Sequence, residues 1–300
     1  ASQRLSGITT TPSTIATLVE NKLAVHAPDG HIILSAVAMN KLQAGVVKNS
    51  GHLEASSMVN RGGTIVLEGD EITLSRSSQI DATGPSGGGT VLVGGDWQGS
   101  GAVRHATRVS MEAGASINAG ALEHGDGGTV VLWSDVHDPS SVTQVAGTIY
   151  ARGGALSGDG GRIETSGHHL RVNDSQGDAS SPHGAAGLWL FDPYNVTITS
   201  ADANGGFAPD ANNLTDTWTP TASGSSILNT TIVSKLNAGT HVAITTTGAG
   251  TDAGHITVNA ALDANNAATG QLSLVADGDI QLKIPAGSQG GQKLRLKDKG

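Results

Sequence analysis

The chain has 300 residues, 37% hydrophobic, 3% aromatic and 14% charged, with 43 glycines and no cysteine. Its formal net charge of −9 argues against nucleic acid as the partner, because phosphate contacts need clustered Lys and Arg. Without cysteine there can be no disulfide, thiolate nucleophile or Cys-bound zinc, and no run of 18 apolar residues could span a membrane as a helix.

A chain this long is too large for one ordinary core unless the fold grows by repetition. The start, Ala1-Ser-Gln-Arg-Leu5, is no signal peptide and reads as processed or internal sequence. The best helical pattern is Ser13 to Val25, with Ile15, Leu18, Val19 and Leu23. From residue 27 onward the apolar residues instead come in short β-branched runs bounded by glycine, such as His31–Leu34, Thr64–Leu67, Thr90–Val93, Thr129–Leu132 and Asn195–Thr199.

Two patterns alternate along the first two thirds. One is small residue, any, apolar, any, Ala, at Gly51–Ala55, Ser78–Ala82, Ala115–Ala119 and Gly147–Ala151. The other is a glycine pair followed by an apolar strand, at Gly62-Gly63, Gly88-Gly89, Gly127-Gly128 and Gly160-Gly161. From the apolar centre of the first to the residue after the second there are 11, 10, 12 and 13 residues, so the order is kept while insertions fall between the elements. That is the signature of a stacked repeat. Each unit is too short and polar to bury its own apolar face, so coiling the chain stacks each strand on its equivalent one turn away. The predicted fold is all-β with little helix, a right-handed parallel β-helix (solenoid). Turns of about 20 to 30 residues would give about 10 to 14 of them. The glycine pairs read as corners where positive φ is cheap. A β-sandwich is the rival architecture, with cleaner alternation and no ordered repeat.

The predicted organisation is a leading segment over 1–26, Gly-rich β-helix repeats over 27–187, an aromatic Asp-Pro box and loop over 188–226, and a second set of strands over 227–300. The last set is read at Ile227–Val233, His241–Thr245, His255–Val258, Gln271–Val275, Asp279–Leu282 and Lys293–Leu296. Lys293, Arg295, Lys297 and Lys299 read as a solvated end.

Candidate chemistry is sparse, and no catalytic, cofactor-binding or metal-ligating residue is predicted. His168 and His169, if extended, would point to opposite faces and could not chelate one ion. Ser86 in Gly84-Pro-Ser-Gly-Gly88 matches a nucleophile-elbow pattern but lacks the following helix, so it reads as a turn. Asp126 and Asp159 lie in Gly-Asp-Gly-Gly corners that could offer oxygens to calcium, yet they lack the repeated spacing of a calcium β-roll. Sequons stand at Asn173, Asn195, Asn213 and Asn229. Trp189, Phe191 and Tyr194 could form a sugar platform or pack a defect; Trp189 and Phe191 would share a face, and packing is the reading adopted. Asp192-Pro193 would end that strand.

Residues 27 to 200 resemble the β-helical region of filamentous-haemagglutinin-like exoproteins, the large two-partner secretion passengers of Gram-negative bacteria. The resemblance rests on Gly51–Ala55, Gly63–Leu67, Ile80–Gly84, Gly88–Asp96, Gly128–Asp135 and Ile149–Gly154. Trp189-Leu-Phe-Asp-Pro-Tyr-Asn-Val-Thr-Ile198 is similar to a box common in that family, and Leu236–Thr245 also looks familial. The resemblance implies a right-handed β-helix and export through an outer-membrane two-partner transporter, recognised by a domain outside this chain. It further implies secretion or display on the bacterial surface, and a chain that threads a pore has reason to lack cysteine. The expected role is the shaft of an adhesin attaching to host cells, other bacterial cells, glycans or surface proteins, not an enzyme. The alternatives are a β-helix polysaccharide lyase or hydrolase and the stalk of a contact-dependent toxin.

Overall fold

The structure is a computed structural model that describes residues 16–36, 44–202, 207–209, 216–218, 220, 224–246, 254–264 and 270–282. The chain coils through three larger parallel sheets and a four-stranded parallel sheet made of Val196–Thr199, Ser225–Leu228, Ile256–Val258 and Ile280–Leu282. A long sheet stacks His31–Ala36, Thr64–Gly69, Thr90–Val93, Thr129–Trp133, Arg162–Gly167, Leu188–Pro193, His241–Thr246 and Leu272–Ala276 in sequence order. A middle sheet stacks Ala16–Asn21, Ala44–Asn49, Glu71–Leu74, Arg108–Met111, Val142–Val145 and His169–Arg171. A short sheet stacks Ala24–His26, His52–Glu54, Gln79–Asp81, Ser116–Asn118, Thr148–Tyr150 and Gln176–Asp178. Every pairing within these sheets is parallel, as a solenoid requires and a sandwich does not.

Side chains alternate across each strand. Ile65, Leu67, Val91, Val93, Val130, Leu132, Ile163, Trp189 and Phe191 point inward from the long sheet and meet Ile72, Val109, Ile80, Ile117 and Ile149 from the other two in one buried column. Trp189 and Phe191 are fully buried there, with ring centroids 5.8 Å apart, so these two serve packing.

The two sequence patterns prove to be one device. The alanine that closes the first pattern accepts a hydrogen bond from the second glycine of the pair that follows: Gly63 to Ala55 at 2.6 Å, Gly89 to Ala82 at 2.8 Å, Gly128 to Ala119 at 2.7 Å and Gly161 to Ala151 at 2.7 Å. The loop between the two is thereby pinched shut and its length is free to vary. None of the eight paired glycines has positive φ, contrary to the corner reading. Close approach is the reason for them. A Cβ on the first glycine would meet the alanine carbonyl of the next turn, at 1.8 Å for Gly62 on Ala82 and 1.9 Å for Gly88 on Ala119. A Cβ on the second would meet the matching glycine carbonyl one turn back, at 2.3 Å for Gly89 on Gly63 and 2.0 Å for Gly128 on Gly89.

Several of the described turns are longer than predicted. The long sheet advances 33 residues from His31 to Thr64, 26 to Thr90 and 39 to Thr129, and 53 from Leu188 to His241. The loops after the long strands and after each Ala account for the excess. With eight strands in the long sheet, the described stack rises about 34 Å at ~4.8 Å per step.

Two local expectations are overturned. Ser13 to Val25 is not helical: the described part forms strands Ala16–Asn21 and Ala24–His26. A helix this short is marginal alone, whereas the strand gains a ladder, with Leu18 opposite Val46 and Val19 opposite Val47. Ile227–Val233 is not one strand: Ser225–Leu228 is extended and Asn229–Asn237 is an α-helix. The single file also breaks here. Val196–Thr199 and the later Ser225–Leu228 both belong to the four-stranded sheet, but the later strand lies at its end and nearer His169–Arg171, with the Leu170 N–H donating to Ser225 Oγ at 2.8 Å. The helix then occupies the next short-sheet position. Lys235 Nζ donates to the Ser175 carbonyl at 3.0 Å, Thr231 Oγ1 to the Asn173 carbonyl at 3.1 Å, and the Ala179 N–H to Thr240 Oγ1 at 2.9 Å. The predicted strand Lys293–Leu296 and the basic group Lys293, Arg295, Lys297 and Lys299 lie outside the described residues.

Candidate functional site

The stack presents three outer faces of different chemistry. On the short sheet the register lines up His52, Gln79, Ser116, Thr148 and Gln176 in one outward column and His26, Glu54, Asp81, Asn118, Tyr150 and Asp178 in another. This face is rich in amides, hydroxyls and carboxylates.

The long sheet is different. Its outward Leu92, Val131 and Trp133 are buried in a second apolar cluster with Val136 and Tyr194, against partly buried Val66, Trp97 and Val103. The excursion after Thr90–Val93 covers them. It starts at left-handed Gly94, turns at Trp97–Gly99 with Gln98 at φ +53°, and is anchored by carboxylates of neighbouring turns. Arg104 N–H donates to Glu68 Oε1 at 3.0 Å and its guanidinium pairs with Asp70. Gln98 N–H donates to Glu164 Oε2 at 2.7 Å, and the Arg162 guanidinium lies 4.5 Å from the Trp97 ring centre. Glu164 is fully buried, and that burial lifts its pKa to about 7, against the bonds from Gln98 and Ser166 that favour the carboxylate. A cavity of about 240 Å³ adjoins the excursion, lined by Gln98, Trp133, Val136, His137, Asp192 and Thr245. Trp133 Nε1 and Thr245 Oγ1 are buried with no hydrogen-bond partner among the described residues.

A groove of about 1020 Å³ runs along the corner between the middle and short sheets and is ended by the helix. Arg76, Glu112, Gln144, Thr148, Asn173, Gln176, Thr231 and Lys235 line it. Stacked turns supply the first residues at successive heights and the helix supplies the last two. Glu112 accepts the Arg76 N–H on Oε2 at 2.9 Å, while its Oε1 is buried without a partner among the described residues. Lys235 is buried beside the Trp189 ring, 4.4 Å from its centre, and desolvation lowers its pKa to about 8. A volume of this size suits a ligand of several rings, and its walls offer donors and acceptors for hydroxyl groups.

The sequence candidates fall as follows. His168 and His169 do touch, with ring centroids 4.9 Å apart, because His168 sits at the bend before strand His169–Arg171 rather than within it. Each is engaged with a carbonyl, His168 Nδ1 with Val136 O at 2.9 Å and His169 Nε2 with Pro139 O at 3.2 Å, and His168 stacks on Tyr194. Burial, then the neighbouring His168, lowers the His169 pKa. Ser86 is exposed on a turn, its N–H donating to Asn60 O at 3.3 Å. The Asp126 and Asp159 carboxylates stitch turns together, accepting the Asp159 N–H at 2.8 Å and the Ala185 N–H at 2.7 Å. Asn173 Nδ2 donates to Ser226 O and Asn229 Nδ2 to Ala261 O, so both sequon nitrogens hold the fold; Asn195 Oδ1 accepts the His255 N–H, and Asn213 lies outside the described residues. Sequence reasoning missed the groove, the Glu164 anchor and the grouping of His26, His52 and Glu54, because each joins residues from different turns.

No described helix is long and apolar enough to cross a membrane. No family model matches the chain, and comparison with curated proteins gives no match. Among solved structures, the chain is similar to the crystal structure of the HMW1 secretion domain from Haemophilus influenzae, at 29% identity and a TM-score of 0.43. That likeness covers 58% of this chain and 49% of the other, so the chain spans about half the length of that structure.

Proposed function

We propose that this chain is a shaft segment of a secreted bacterial surface adhesin. On this reading it is exported through an outer-membrane two-partner transporter and attaches to glycans or proteins on host or bacterial cells. The carrying observation is the parallel register, in which the long, middle and short sheets each grow by one strand per turn along a common axis. Such a rod separates its ends by adding turns and repeats its outer chemistry at each step, which suits many weak contacts better than one deep site. The polar groove at the sheet corner is where a glycan chain would lie. The ordered sequence motifs shared with filamentous-haemagglutinin-like exoproteins support the same role. An enzymatic role has less to recommend it, since charge is sparse, at 14% of residues, where a polysaccharide lyase or hydrolase clusters acidic and basic side chains on one face.

The test is binding of the purified chain to a glycan array and to intact cells, both free and clustered on beads. Clustering should raise retention by about 10²–10⁴, and the groove double variant Arg76→Ala with Gln176→Ala should lower it. Absence of retention on every glycan and cell surface would sink the proposal, and turnover of a uronate polymer would replace it with the lyase reading.

A further inference from the structure

Three metal-ligating side chains that no sequence motif connects meet on the outer face of the short sheet. Strands Ala24–His26 and His52–Glu54 pair in parallel, with Ala24 opposite His52 and His26 opposite Glu54. Leu53, between the last two ligands, points into the core and is fully buried. By alternation His52 and Glu54 share the outer face, two residues apart, and His26 joins them from the adjacent turn. One donor atom from each of His26, His52 and Glu54 lies within 4.8 Å of the others. His26 Nδ1 is 2.6 Å from Glu54 Oε2, and the two imidazole rings stand edge to face with centroids 5.6 Å apart.

We propose that His26, His52 and Glu54 form a surface site for a borderline divalent cation of the Zn²⁺ class, with water completing a tetrahedron. Zinc binds imidazole nitrogen and carboxylate oxygen at about 2.0–2.2 Å, which places ligand atoms about 3.3–3.6 Å apart. Side-chain rotation alone reaches that spacing, because the ladder already holds both backbones at strand distance. Two imidazoles favour this class over calcium and magnesium, which take oxygen ligands. The carboxylate is pre-set for the role: Glu54 Oε1 accepts the Ser56 hydroxyl at 2.7 Å, which leaves Oε2 aimed at the histidines, and such outer partners orient ligands at metal sites.

The placement has a mechanical consequence. All three residues of Ala24–His26 are exposed, and neighbouring Leu23 is 80% exposed, so apolar burial does little to hold this strand. An ion bridging His26 to His52 and Glu54 ties this strand to the next turn, and a ligand that binds only the folded form stabilises it by an amount that grows with the logarithm of free ligand over its Kd. The inference is independent of the adhesin reading, since it concerns only this strand pair.

The experiment is calorimetric titration of the 300-residue chain with Zn²⁺, repeated with Ca²⁺, together with hydrogen exchange of the same samples. The expected result is one site that prefers Zn²⁺ and slows exchange across strands Ala24–His26 and His52–Glu54. His52→Ala and Glu54→Gln should each weaken it by more than about tenfold, while the exposed His137→Ala with His183→Ala leaves it unchanged. A His52→Ala titration superimposing on the parent, equal affinity for Ca²⁺, or Zn²⁺ protection falling elsewhere in the chain would overturn the assignment. Hydrogen exchange on the parent chain needs no variant, so a folding defect in one cannot leave the question open.

Discussion

Replacing Gly128 with alanine tests the stacking geometry where a second glycine sits against both neighbouring carbonyls. The new methyl carbon would stand 2.0 Å from the Gly89 carbonyl oxygen, 2.6 Å from that of Ala119 and 2.9 Å from the Gly88 carbonyl carbon. Carbon and oxygen settle at about 3.3 Å or more, so the backbone would have to open by more than about 1 Å. Two buried hydrogen bonds run through that gap, Gly128 N–H to Ala119 O at 2.7 Å and Thr129 N–H to Gly89 O at 2.9 Å, and neither survives such a shift. Each orphaned pair costs about 1–3 kcal/mol, which puts Gly128→Ala at about 2–6 kcal/mol. Gly114→Ala is the control. Gly114 has φ +98° and its Cβ would meet Arg76 less closely, Cγ at 2.8 Å and the carbonyl oxygen at 3.0 Å, so a smaller clash adds to backbone strain of about 1–2 kcal/mol. Urea unfolding followed by far-UV circular dichroism reads both, and hydrogen exchange shows whether the loss is centred on the turns around Gly128, since solenoid stability is a nearest-neighbour property. If Gly128→Ala stayed within about 1 kcal/mol of the parent, or cost no more than Gly114→Ala, the close-approach reasoning would fail.

Three further outcomes follow from the same structure. Glu164 has a folded pKa of about 7 against an ordinary 4.5, so its stabilising share is fully present below pH 4.5 and is lost as pH rises through 7. Urea midpoints should therefore fall between pH 5 and pH 8 by the equivalent of about 2–3 kcal/mol, and Glu164→Gln should flatten that slope; an unchanged slope in the variant would contradict it. Trp189→Ala empties the core beside Lys235 and should cost about 3–5 kcal/mol, read as a lowered thermal midpoint. A three-residue Gly-Ser-Gly insertion between Pro182 and His183 should cost under about 0.6 kcal/mol, because the loops pinched by Ala–Gly bonds already span 7 to 10 residues; a large loss there would show that loop length matters.

Much of the fold was legible because the solenoid writes itself as order. Short β-branched runs at Thr64, Thr90 and Thr129 stack on one another, and the glycine pairs before them recur because each turn needs the same close approach. Ala186 shows the rule from the other side. It holds the first-glycine position before Gly187, where the next turn carries the helix instead of a short-sheet alanine carbonyl, so a methyl group fits. The helix itself was illegible because Thr230, Thr231, Ile232 and Val233 favour strands on propensity, and tertiary position overrode them. A signal existed in Gly239, left-handed at φ +85° just after the helix end. The apolar outer cluster was missed because Val131 and Trp133 look like strand residues of any face until the Gly94 excursion is seen to cover them. The groove and the His26, His52 and Glu54 grouping depend on register across turns of unequal length, which spacing alone does not supply.

Single-file stacking is tested most directly by distances between spin labels on Cys variants of one outward column, a clean choice in a chain without native cysteine. Ala24, Ser116 and Gln176 lie on successive strands of the short sheet, through His52 and Gln79 to Ser116 and through Thr148 to Gln176. At ~4.8 Å per strand the backbone separation should be about 14 Å from Ala24 to Ser116 and about 24 Å from Ala24 to Gln176. A distance from Ala24 to Gln176 equal to or shorter than that to Ser116 would mean that the strands do not climb one axis.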